Sequence, residues 1–255
     1  MFTKPRVILV TGANRGIGFA IIRALATHPE TADGIFLLGC RDPEKGKEAI
    51  EQLHNLGITS PVHPVAIDVT SDASIKRAVE VVEQGHGRLD VLINNAGCGG
   101  IPSATDFSDW RDVYAQVYDT NVTSVALTTQ FFLPLLRRSS HGGKVVSVSS
   151  RRGSITLSAL GVLPPTVSIP YCLSKTALNM LTVEMSRDAA NKDVEFQIVG
   201  PGHCKTAFNG YRGTRDPVEG ANVVVELVRA EKGKYKNVGF WETQGADMNL
   251  VEIPW

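Results

Sequence analysis

The segment Val7-Ile8-Leu9-Val10-Thr11-Gly12-Ala13-Asn14-Arg15-Gly16-Ile17-Gly18 constrains the fold more than any other part of the chain. An apolar, β-branched run breaks into a glycine turn and restarts with helical spacing. That is the pattern of a buried strand feeding a helix whose first N–H groups stay open to an anion. Gly12 permits the tight turn, Gly16 lets the main chain approach a phosphate, and Gly18 lets the helix pack closely on the strand. The spacing therefore reads as a dinucleotide cradle.

Further short apolar runs follow at residues 35–38, 62–67, 91–94, 144–148, 194–199 and 237–241, separated by helical stretches. Strands that alternate with helices imply parallel pairing with crossovers on both faces. The expectation is one doubly wound Rossmann α/β domain: a mostly parallel seven-stranded sheet, helices on both faces, one domain over residues 1–255. Ligands of such sheets bind beyond the carboxyl ends of the strands. Asp42 before Pro43, and the 70–72 segment before Ile75, read as helix caps. Residues 151–170 and 202–216 lack periodicity and read as long loops that bind substrate.

Composition narrows the function. Twenty-six basic and 26 acidic residues cancel, so nothing favours nucleic acid or an anionic membrane. The strand that begins at Val7 leaves no room for a signal peptide, and the apolar stretch 131–136 is too short to span a bilayer. Cys40, Cys98, Cys172 and Cys204 show neither paired nor metal-ligand spacing, so no metal site is expected and the expected compartment is the cytoplasm.

At the end of the second strand, Arg41 stands where a carboxylate would bind ribose hydroxyls. With Arg15 it supplies two guanidinium groups for a 2′-phosphate, favouring NADP(H). Asp68 ends the third strand and is placed to accept from an adenine amine, and Asn94-Asn95-Ala96-Gly97 ends the fourth beside the glycine turn. Downstream, Tyr171 and Lys175 stand four residues apart, so on a helix a phenol and an ammonium share one face. The cation is expected to depress the phenol's pKa and make it an acid.

Residues 11–18 (TGANRGIG), 94–97 (NNAG), 147–150 (SVSS) and 171–175 (YCLSK) resemble the short-chain dehydrogenase/reductases, and the likeness runs from Val7 to about Phe208. The resemblance implies a catalytic tetrad of Asn121, Ser150, Tyr171 and Lys175, with Ser150 preferred to Ser149. It implies cofactor contacts from Gly12, Asn14, Arg15, Gly16, Ile17, Gly18, Arg41, Asp68, Val69, Asn95, Ala96, Gly97, Tyr171 and Lys175. Pro201, Gly202 and Thr206 of the PG-x-x-x-T segment are expected to hold the nicotinamide carboxamide. Asn121 is expected to hold a water that links Lys175 to solvent. Ser147 replaces an asparagine common in relatives, and Ser150 and Tyr171 are 21 positions apart, a long separation that should reshape the pocket.

Phe107, Trp110, Ile155, Leu157, Leu163, Phe208 and Tyr211 are expected around an apolar cavity, with Arg151 and Arg152 as solvent-facing charges. The 213–220 segment and the Ile253-Pro254-Trp255 ending resemble the carbonyl-reductase branch. The activity implied is NADPH-dependent reduction of a ketone, aldehyde or quinone on a hydrophobic small molecule. NADP-linked alcohol oxidation and a catalytically silent cofactor-sensing protein are the alternatives. Small and apolar positions such as Val122, Val125, Ala126, Ala177, Leu178 and Leu181 are expected to pair subunits into a homodimer or homotetramer.

Overall fold

Side-chain alternation along β1 (Val7–Thr11) divides the protein into two core layers. Ile8 and Val10 face one layer, built with α1 (Gly16–Thr27), α2 (Pro43–Asn55) and α8 (Pro217–Arg229). Val7 and Leu9 face the other, built with α3 (Asp72–His86), α5 (Ser124–Leu136) and the partly buried Met185 of α7 (Ile169–Arg187). A strand buried on both sides has no polar face, which is why these runs are continuously apolar. The computed structural model describes residues 4–245 and 248–255.

The other strands are β2 (Ile35–Cys40), β3 (Val62–Ala66), β4 (Val91–Asn94), β5 (Lys144–Val148), β6 (Glu195–Val199), β7 (Phe240–Gln244) and β8 (Asn249–Glu252). They form a single Rossmann-like sheet in the order β3-β2-β1-β4-β5-β6-β7-β8, parallel except for the last pair. The chain winds outward from β1 to β3 and then returns to β4, so the sheet's reversal point lies at the carboxyl ends of β1 and β4.

The sheet has eight strands, one more than expected. After β7 the chain turns at Gly245, in the left-handed region at φ 75°, and comes back antiparallel as β8. β7 also starts later than the apolar run implies, because residues 236–239 close a turn through the Gly239 N–H bond to Lys236 O. At the opposite margin, β3 carries Pro64. Hydrogen bonds from Phe36 N to Pro61 O and from Ile67 N to Cys40 O set a parity that turns Pro64 away from β2, where its missing N–H breaks no bond.

Helix starts follow local chemistry. Asp42 Oδ1 accepts from Glu44 N at 3.1 Å and Lys45 N at 3.3 Å, and Pro43 opens α2. Ser71 caps α3 by accepting from Ser74 N. The 151–170 stretch is more ordered than a loop: a 3₁₀ turn over Arg151–Gly153, then α6 (Ile155–Ala159). Pro170 lies in the first turn of α7, where a missing N–H costs nothing. Val125 and Leu178, expected at a subunit contact, are buried within this chain.

Candidate active site

The glycine turn is built to leave main-chain donors unclaimed. Gly12 and Gly16 adopt φ of 63° and 60°, a region that a side chain disfavours. Arg15, at the N-cap of α1, makes no capping bond, and no acidic residue sits in the first turn. The first N–H groups of α1 therefore lack an internal acceptor and suit an anion. Gly18 is forced by crowding: a Cβ there would lie 2.5 Å from Asn95 Nδ2 and 2.6 Å from Gly12 O.

The loop after β4 is fastened to this turn. Asn95 Nδ2 donates to Thr11 O at 2.8 Å and to Gly12 O at 3.2 Å, while Thr11 Oγ1 accepts from Asn95 N and Ala96 N, both at 3.0 Å. Thr11 was not among the expected site residues; a hydroxyl ending an otherwise apolar buried strand was its signal. Asn94 points elsewhere, donating to Thr129 Oγ1 at 2.9 Å. Asn14 is half-buried in the turn, whereas Ile17 and Val69 pack sideways onto the two core layers.

Arg15 and Arg41 are both exposed, and neither joins an ion pair among the described residues. Asp68 accepts from Thr70 Oγ1 at 2.7 Å and Thr70 N at 3.0 Å. The Thr70 hydroxyl bond, with help from the Arg41 charge, holds the Asp68 carboxyl below its ordinary range. Thr206 is buried and faces the glycine turn, with its side chain 3.7 Å from where a Gly16 Cβ would lie. Pro201 O accepts from Arg215 Nη1 at 3.3 Å, and Gly202 turns at φ 83°. The 202–216 segment thus folds back over the turn, closed at its base by a bridge between Cys204 and Arg215. His203 is exposed, its carbonyl accepting from Thr214 and Arg215.

Across the cleft, Ser150 stands beside Tyr171, close enough for its hydroxyl to lower the phenol's pKa. Lys175 follows one turn later on α7, its Nζ donating to Val148 O at 2.8 Å and lying 5.7 Å from the Tyr171 ring centroid. A Cβ on Gly97 would stand 3.1 Å from Asn121 Oδ1 and 3.8 Å from Lys175 Nζ, so the bare glycine is what lets these groups converge. Asn121 sits in a π turn (Asp119–Thr123) between α4 (Trp110–Tyr118) and α5. Its Oδ1 accepts from Cys98 N at 2.9 Å, and its Nδ2 donates to Cys98 O at 2.8 Å and Ser174 Oγ at 2.9 Å. The Asn121 side chain is committed to Cys98 and Ser174, two residues that sequence spacing alone does not flag. Ser149 points inward to Asn179 at 2.6 Å.

The electrostatics depart from expectation. Burial pushes the Tyr171 phenol up to about 12, against a smaller lowering by the nearby Ser150 hydroxyl, and the Lys175 charge is not among the causes. Burial likewise pulls the Lys175 ammonium down to about 8. The reason is geometric: Lys175 directs its Nζ at Val148 O and stands off the ring.

The expected apolar lining divides. Leu157 is buried with Ile198, Phe240 and Ile253, and Leu163 packs on that cluster, so both are core. Phe107, Trp110, Tyr114 and Tyr118 instead line an open groove of about 590 Å³ along α4. Phe208 packs against the Tyr171 ring, at 5.5 Å between centroids. Ile155 and Tyr211 are exposed. Arg151 faces the buried Glu242 at 3.6 Å, and Arg152 donates to Pro164 O, so neither is the free surface charge expected.

Residues 6–216 match the short chain dehydrogenase family. The chain belongs to the short-chain dehydrogenase/reductases. A short-chain dehydrogenase/reductase of Aspergillus fumigatus is 38% identical over 268 aligned positions, covering 99% of this chain and 98% of its own. A short-chain dehydrogenase of Penicillium roqueforti is 35% identical, covering 99% and 98%. Among solved structures, an NADPH-bound carbonyl reductase from chicken fatty liver superposes with a TM-score of 0.80 at 27% identity, covering 99% of this chain and all of that one. This short-chain dehydrogenase/reductase is accordingly an oxidoreductase acting on small molecules. No described helix is long and apolar enough to cross a membrane.

Proposed function

We propose that this short-chain dehydrogenase/reductase reduces the carbonyl of a hydrophobic ketone, aldehyde or quinone with NADPH. The observation that carries the reading is the convergence of Ser150, Tyr171 and Lys175, with Lys175 one turn beyond the phenol and its Nζ 3.8 Å from where a Gly97 Cβ would lie, in a chain whose glycine turn leaves the first donors of α1 unclaimed. Likeness to an NADPH-bound carbonyl reductase supports both the activity and the cofactor.

The chain's residues fit NADPH: the open first turn of α1 suits the pyrophosphate, and Arg15 and Arg41 suit a ribose 2′-phosphate. Asn95 to Gly97 would support the cofactor beside the glycine turn, and Pro201, Gly202 and Thr206 would hold its nicotinamide. Reduced nicotinamide, when bound, supplies the hydride. Ser150 donates to the substrate oxygen and steadies the charge that develops there. Tyr171 gives its proton to that oxygen. Lys175 would offer its ammonium to the cofactor's nicotinamide ribose, and Asn121 fixes the Cys98 loop beside it. The 151–170 and 202–216 segments, with Phe208 against Tyr171, shape the substrate site.

A phenol pushed up to about 12 holds its proton at neutral pH, as a proton donor to a carbonyl must. The exposed side chains of Ile169, Leu173 and Met180 along α7 support a homodimer. The test is carbonyl-dependent NADPH consumption by the wild type and by Tyr171→Phe. The variant should lose turnover by about a hundredfold or more while NADPH still binds. Unchanged turnover overturns the proposal.

A further inference from the structure

Asn179 lies two turns beyond Tyr171 and one beyond Lys175 on α7, and its side chain is buried, 3% exposed. Its Oδ1 accepts from Ser149 Oγ at 2.6 Å, and its Nδ2 donates to Gly153 O at 3.3 Å. These partners stand on either side of Ser150 in the chain, so one amide grips the segment that carries the reactive hydroxyl before and after it. The amide's orientation is dictated. Gly153 O can only accept, so the NH2 must face it and the oxygen is left for the Ser149 hydroxyl.

Ser150 takes its own direction from this segment. Its Oγ accepts from Arg152 N at 3.2 Å as it caps the Arg151–Gly153 turn, and it stands close enough to the Tyr171 phenol to lower its pKa. The turn is seated flush on α7. A Cβ at Gly153 would fall 2.9 Å from the Lys175 carbonyl and 3.1 Å from Asn179 Nδ2. Thr176 Oγ1 adds a bond to Gly153 O at 3.1 Å. The helix that holds the phenol and the ammonium therefore also sets where the serine stands, through a side chain that touches neither Ser150 nor the cleft.

We propose that Asn179 is a positioning residue that keeps the Ser150 hydroxyl in register with Tyr171 and thereby sets the rate of carbonyl reduction, an inference that rests on the role proposed for Ser150. Hydrogen bonding is the essential property. An apolar replacement fills the space but leaves the Ser149 hydroxyl only its longer bond to Lys175 O at 3.4 Å and loosens one end of the turn. A carboxylate keeps the acceptor and leaves Gly153 O only the Thr176 hydroxyl as donor.

The experiment is a double-mutant cycle on the whole chain with NADPH and a reducible aromatic ketone. Asn179→Ala should lower kcat by about tenfold to a hundredfold, the scale of a displaced catalytic group. Its Kd for NADPH, read from nucleotide fluorescence, should stay within about twofold of wild type, because the glycine turn is not touched. In a Ser150→Ala background the same substitution should cost nothing further. Equal losses in both backgrounds, or no loss beside intact Ser150, overturn the inference while leaving the proposed function standing. Turnover undiminished by Ser150→Ala overturns both. Should Asn179→Ala fail to fold, Ser149→Ala removes the other half of the bracket, and the same cycle is read with the same outcomes.

Discussion

Lys175 Nζ donates to Val148 O at 2.8 Å while standing 5.7 Å from the centre of the Tyr171 ring, so the ammonium is anchored to the sheet and not to the phenol. Two groups with opposite shifts share one site: burial holds the proton on Tyr171 up to about 12 and loosens the proton on Lys175 to about 8.

The pH dependence follows. Tyr171 stays protonated across the working range, so the titration that matters is that of Lys175. Ketone reduction should be flat through neutrality and fall as pH rises through about 8, where the ammonium is lost. A profile of kcat/KM for NADPH-dependent reduction checks this; a rate that climbs above that pH contradicts it.

Lys175 also costs stability. Its folded pKa of about 8 lies below the ordinary 10.5, so the folded state binds the proton less well. The penalty is complete below about 8 and disappears above 10.5, so stability contributed by this group rises with pH across that window. The shift is worth about 3 kcal/mol, offset by about 1 for the bond to Val148 O. Lys175→Met should therefore raise Tm by several degrees at neutral pH while turnover is lost, measured by calorimetry and rate on one preparation.

Arg41 is exposed at the end of β2 and free of ion pairs among the described residues, so its substitution leaves the core untouched. Arg41→Ala should raise the KM for NADPH by about tenfold to a hundredfold, as expected for a lost charged hydrogen bond, with little change for NADH. Steady-state kinetics with both cofactors decide it.

Two glycines of the turn should respond differently. Gly18→Ala drives a Cβ into Asn95 Nδ2 and Gly12 O, an overpacking that costs about 1–3 kcal/mol and should abolish cofactor binding. Gly16→Ala meets nothing closer than 3.7 Å and bears only the strain of its positive φ, about 1 kcal/mol. Thermal denaturation of both variants, with NADPH titration, separates them.

The fold was legible where burial leaves a continuous mark. Strands covered on both faces read as unbroken apolar runs, and the glycine turn reads from residue type alone. β8 did not, because its side chains are largely exposed and its pairing is set by the Gly245 turn. Leu157 and Leu163 looked like pocket residues because their partners, Ile198, Phe240 and Ile253, are remote in sequence. Cys98, Ser174 and Asn179 matter through hydrogen bonds across elements, which leave no periodicity. The expected acidifying effect of Lys175 failed for a similar reason. Helical spacing puts two side chains on one face without fixing where an ammonium points.

Pro64 has a consequence beyond local geometry. A sheet of parallel strands ends in a row of amide donors that another extended chain can copy, and the imide at the middle of β3 interrupts that template on its outer side. The opposite margin reverses direction and carries Glu252 in an ion pair with Lys236. Neither border offers a foreign segment an uninterrupted ladder, so this sheet is protected from growing into fibrils by residues that contribute nothing to its chemistry.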